Sequence, residues 1–142
     1  MHTAYRITRI TSVVMLALHL VGCTSSSVDD EQARSRIKSV LSLSAETDLF
    51  VQQLQSHRLT RQFSAGHKLY LAKLQQELAS DKNTGTTPQT TAQLAIAEDQ
   101  LNRLSEVIDN LPLSPEDSDT YQTQKSSLTD IDTQLKKALA HP

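Results

Sequence analysis

The sequence predicts an all-α protein: a small antiparallel helical bundle that follows a leader segment. Composition is the first support. The 142-residue chain has three Gly, four Pro, two Phe, three Tyr and no Trp, and it is rich in Leu, Ala, Gln, Ser and Thr. Strands and their turns draw on residues that are mostly missing here. The second support is apolar spacing, which alternates between three and four residues over long stretches. The third is punctuation. Pro and Gly cluster between those stretches, where helices should stop and start. A chain of this length allows one domain of ordinary size.

The first 22 residues read as a leader. Arg6 and Arg9 supply positive charge, and residues 10–21, "ITSVVMLALHLV", form a largely apolar run with His19 an unusual polar residue inside it. The run is short for a membrane-spanning helix and has the length expected of a signal peptide. It ends in Leu20-Val21-Gly22-Cys23, which contains the only cysteine, so no internal disulfide can form. Residues 24–32, "TSSSVDDEQ", have no apolar periodicity. The expected organisation is a leader over residues 1–22, a flexible tether over 23–30 and a helical domain over 31–142.

The tetrapeptide Leu20-Val21-Gly22-Cys23, after a basic and an apolar segment, resembles the lipobox of bacterial lipoprotein precursors. The resemblance covers about the first 24 residues. It implies cleavage between Gly22 and Cys23, diacylglycerol on the Cys23 thiol and usually an acyl group on the new amino terminus. Leu20, Val21 and Gly22 would then be the signal-peptidase recognition residues, and the small Gly22 would give the peptidase access to the backbone. Two or three acyl chains hold a protein at a bilayer nearly permanently, at about 0.8 kcal/mol per buried methylene. In this family an Asp after the cysteine commonly retains the protein at the inner membrane. Thr24 therefore implies the outer membrane, facing the periplasm.

Arg6 and Arg9 are the only charged residues before Cys23, so residues 23–142 hold twelve basic and sixteen acidic side chains, a formal net charge of −4. Residues 28–80 are near balance, and residues 81–142 carry five basic against ten acidic residues. Neither half offers the basic patch of a nucleic-acid partner.

Within the domain, residues 31–55 carry Val40, Leu43, Phe50 and Leu54 on one face. Residues 59–78 carry Leu59, Phe63, His67, Tyr70 and Leu74 on one face. In one straight helix these stripes would point in roughly opposite directions. A helix over residues 31–80 would be about 75 Å long, against a radius of gyration near 14 Å for a compact domain of this size. A break is therefore expected at residues 56–60, "SHRLT", with Thr60 as a candidate cap. The alternative is one long helix, which would reduce four helices to three. Leu59-Thr60-Arg61-Gln62 resembles the LTxxQ motif of helical periplasmic chaperones, but its Gln stands one residue early, so it implies no function here.

Residues 80–88, "SDKNTGTTP", read as a loop. The third helix is expected over residues 88–110, with Thr87 as N-cap, Pro88 in first position and a stripe of Leu94, Ala97, Leu101, Leu104, Ile108 and Leu111. Pro112 disfavours its continuation. Ser114-Pro115-Glu116-Asp117 marks the next start, with acidic residues in the first turn, and Tyr121, Leu128, Ile131, Leu135 and Leu139 form the last stripe. Lys136 and Lys137 suit a helix C-terminus. Short links make antiparallel hairpins, hence four helices in two hairpins.

Catalytic residues are not expected. No HExxH, Glu-x-x-His, CxxCH, G-x-S-x-G or phosphate-binding Gly-rich loop occurs. Glu46 and Asp48, two apart on a helix, point to different sides. Phe63, His67 and Tyr70 form the candidate ligand or packing site. His67 is expected as a structural side chain between helices, with Gly66 marking a close helix contact. A metal site needs three or four ligands, and residues 23–142 hold only His57, His67 and His141 and no methionine. No metal or other cofactor is expected beyond the lipid on Cys23. The expectation is a membrane-anchored envelope lipoprotein, held to the bilayer through Cys23, whose non-catalytic domain meets a protein partner as an adaptor or assembly factor. The alternative is a helical bundle that binds a small ligand, metal or haem on the His67/Tyr70 face.

Overall fold

The computed structural model describes residues 4–113 and 118–140, with the side chains of the first helix described from Val28 onward. Four helices make up the described chain: α1 over Ala4–Gln55, α2 over Arg61–Ser80, α3 over Pro88–Asp109 and α4 over Ser118–Ala140. No strand occurs among the described residues, so the expected all-α bundle is the observed fold. α1 continues upstream through residues 23–30; among the described side chains Asp29 accepts from Thr86 and Ala33 is the first that is buried.

Three helices build the core on one repeat. In α1 one buried series is Ala33, Ile37, Val40, Ser44, Thr47, Val51 and Leu54, flanked by Arg36, Leu43 and Phe50. In α3 and just beyond it is Thr90, Leu94, Ala97, Leu101, Leu104, Ile108 and Leu111, flanked by Gln93, Gln100 and Val107. In α4 it is Tyr121, Gln124, Leu128, Ile131, Leu135 and Ala138. Each series alternates steps of four and three, the spacing of a coiled-coil seam. Polar cross-links fix the mutual register of these helices. Ser44 Oγ donates to Asp132 Oδ1 at 2.8 Å, Gln93 Nε2 donates to the Ala138 carbonyl at 3.4 Å, and Arg103 Nη2 meets Asp130 Oδ2 at 2.6 Å.

α2 packs on α1 and α3 and does not approach α4. The expected break at residues 56–60 is present, and neither Gly nor Pro makes it. The Arg58 amide donates to the Gln53 carbonyl and the His57 amide to the Leu54 carbonyl, at 3.4 and 3.2 Å. These are the two hydrogen bonds of a Schellman motif, which needs a left-handed residue at the position His57 occupies. His57 has φ 54°, the only positive φ of a non-glycine residue among those described. Thr60 then caps α2, accepting from the Phe63 amide at 3.3 Å.

The loop before α3 ends as expected, in a capping box of Thr87 and Thr90 with Pro88 at the start of the helix. Gly85 is required here, because a Cβ at that position would lie 2.5 Å from the Thr91 amide nitrogen. The Ser114–Asp117 start of the last helix lies outside the described residues.

Candidate functional site

Three of the chain's five aromatic residues meet at one histidine. The His67 ring lies 4.6 Å from the Phe50 ring, 5.8 Å from Phe63 and 5.6 Å from Tyr70, and is near-parallel to Phe63 at 8°. Phe50 comes from the end of α1 and is buried, whereas Phe63 and Tyr70 stand on α2 and are about half exposed. Aromatic pairs at these separations add about 0.5–1.5 kcal/mol beyond area burial. His67 Nε2 lies 3.9 Å from Glu46 Oε1, an ion pair whenever the imidazole is protonated. Glu46 and Asp48 diverge as expected, since Asp48 accepts from Gln52 Nε2 at 2.7 Å.

His67 therefore sits between helices, three-quarters buried and near Tyr70, as expected. Two details of the expectation are corrected. The stripe Leu59–Phe63–His67–Tyr70–Leu74 is not the buried face of α2. Ser64 and Leu71 are the buried residues, so the inward direction is rotated by about a quarter turn at 100° per residue. Leu71 turns inward into the core, and Lys68 reaches toward α3. Its Nζ donates to the Asp109 and Leu111 carbonyls at 2.8 and 3.0 Å, satisfying open acceptors at the C-terminus of α3. Gly66 marks no contact within the fold. It is exposed, and a Cβ there would meet nothing within 4 Å.

The rotation leaves an apolar strip facing outward. Phe63, Leu69 and Tyr70 are 54, 73 and 48% exposed. Leu69 was missed from the sequence because it lies off the stripe, and no local signal separates it from the inward Leu71 two residues on.

Arg36 was missed as well. It lies seven residues before Leu43 and fourteen before Phe50, on the inward face, and its side chain is 2% exposed. Its Nη2 donates to Glu98 Oε1 at 2.8 Å, while Nε and Nη1 are buried without a partner. Among the described residues no three His, Cys, Asp or Glu side chains converge as metal ligands. A cleft of about 650 Å³ lies at the end of the bundle, where Leu54, His57, Leu59, Arg61, Ser64, Leu113 and Tyr121 line it. It is separate from the His67 cluster.

The lipobox side chains, Leu20 to Cys23, lie outside the side chains described. No helix of the described residues is long and apolar enough to cross a membrane. No family model matches the chain, and neither a curated protein nor a solved structure matches it.

Proposed function

We propose that the protein is a lipid-anchored envelope lipoprotein whose helical domain is a non-catalytic interaction module. The observation that carries the reading is the ordered series of Arg6 and Arg9, the apolar run over residues 10–21 and Leu20-Val21-Gly22-Cys23. Asp29 already accepts from Thr86 of the loop before α3, so only a short helical segment separates Cys23 from the domain. Thr24 after the cysteine favours the outer membrane, facing the periplasm. The module reading is supported by the strip of Phe63, Leu69 and Tyr70, since aromatic side chains concentrate in protein interfaces. Its partner is another envelope protein; with a net charge of −4, nucleic acid is not the partner.

Metabolic labelling with a fatty acid and cell fractionation test the anchor. The parent chain should take up label and sediment with membranes, while Cys23→Ser should lose the label and become soluble. An unlabelled parent chain found with membranes would overturn the reading.

A second reading differs from the expected ligand face at His67/Tyr70 and places a small ligand in the separate cleft, whose volume lies within the roughly 300–1,000 Å³ of ligand pockets. Its apolar wall of Leu54, Leu59 and Leu113 with Arg61 at the rim suits an amphipathic anion. Native mass spectrometry of the purified chain decides this, since the ligand reading requires a co-purifying small molecule.

A further inference from the structure

Asp29 limits how far the bundle can stand from Cys23. Its carboxylate accepts from Thr86 Oγ1, so the loop between α2 and α3 is fastened to α1 at that level. Cys23 lies six residues upstream. As helix, which α1 is across this stretch, six residues rise about 9 Å. Even fully drawn out they would span no more than about 22 Å.

We propose that the loop over residues 81–87 is a second membrane contact, held on the phospholipid headgroups by the short leash to the lipid of Cys23. The inference rests on the anchor reading above. A lipid on Cys23 puts that residue at the border of hydrocarbon and headgroups, and the headgroup layer is about 5–8 Å deep on each side of a bilayer. A rise of about 9 Å brings Asp29, and the loop bound to it, to the outer edge of that layer.

The surface of the loop suits this position. Asp81, Lys82, Thr84 and Thr86 are exposed, as are Pro88 and Gln89 at the start of α3. None is a large apolar side chain that would enter the hydrocarbon, and the hydroxyls can donate to phosphate and ester oxygens. Charge does not drive the contact, because Asp29, Asp30, Glu31 and Asp81 stand against Arg34 and Lys82 at this end. The anchor drives it, by keeping the loop at high effective concentration beside the headgroups. The other end of the bundle points away. Asp29 and Gln55 are 26 residues apart on α1, about 39 Å along its axis, which sets the α1–α2 turn and the cleft far from Cys23.

Fluorescence quenching in the lipidated full chain tests this. Thr84→Cys is labelled with a thiol-reactive fluorophore in phosphatidylcholine vesicles that include a lipid spin-labelled on its headgroup. Gln62→Cys, exposed at the far end, is the reference. The Thr84→Cys label should be quenched several-fold more than the Gln62→Cys label. Lys82→Cys reports on the same loop, which keeps the test informative if Thr84→Cys folds poorly. A Gly/Ser insert of about twenty residues after Ser27 adds roughly 25 Å of flexible reach and should bring the loop and reference labels to similar quenching. Equal quenching of loop and reference in the lipidated chain without the insert, or loop quenching that survives the insert, would overturn the contact while leaving the anchor intact. Labelling of the parent chain at Cys23 would reveal a free thiol and overturn the anchor reading, and the contact with it.

Discussion

Arg36 and Glu98 form a pair whose two halves should respond unequally to substitution. The guanidinium is buried with two donors unpartnered, whereas the Glu98 side chain is 45% exposed. Removing the carboxylate strands a buried charge, which costs about 3–5 kcal/mol at full burial. Removing the arginine leaves a carboxylate that water can reach. Glu98→Ala should therefore lower the melting temperature markedly, while Arg36→Met, which fills a similar volume without charge, should leave it unchanged or raise it. Thermal denaturation of the two variants checks the order, and a larger loss from Arg36→Met would contradict it. Gly66 gives a second expectation at this scale. With open space at its Cβ, Gly66→Ala should gain about 0.5–1 kcal/mol of helix propensity, visible in urea denaturation.

Among the elements, the turn between α1 and α2 depends on one backbone conformation. His57 holds φ 54°, which costs a residue with a Cβ and costs glycine little. His57→Gly should be neutral or stabilising by up to about 1 kcal/mol, and His57→Val should destabilise by about 1–2 kcal/mol, because a β-branched residue is disfavoured in this region. Equal stabilities would show that the motif does not hold the turn.

The same elements show what the sequence made legible. The stripe of α3, Leu94 to Leu111, is apolar throughout, and every predicted member is buried. The stripe of α1 was read only in part. Ser44 and Thr47 occupy inward positions, and polar residues there hide the repeat; their hydroxyls are satisfied by Asp132 and by the Leu43 carbonyl. The break at residues 56–60 followed from opposed stripes, although the Schellman motif that makes it has no sequence signal when histidine replaces glycine. The face of α2 was misjudged because its partners, such as the carbonyls that Lys68 reaches 41 and 43 residues away, are distant in sequence.

Across the described residues, α1, α3 and α4 share a continuous buried seam, mostly apolar, while α2 buries only Ser64 and Leu71 and has Leu74 and Leu78 half-covered. Local opening free energy follows buried apolar contact. Native-state hydrogen exchange should find α2 less protected than the middle of α1, α3 and α4, and equal protection would contradict this. Leu71→Ala should cost about 2–5 kcal/mol, as for other fully buried leucines. A face carried by the least firmly held helix can adapt to a partner without disturbing the seam.

Lipid on Cys23, as proposed, would decide which membrane and which partners the domain meets. Intact-mass analysis of the protein extracted from membranes tests it most directly. The predicted result is a chain that begins at Cys23 and carries the added mass of a diacylglyceryl group, with or without a further acyl chain. A chain that retains residues 1–22, or one that begins elsewhere with Cys23 unmodified, would contradict it.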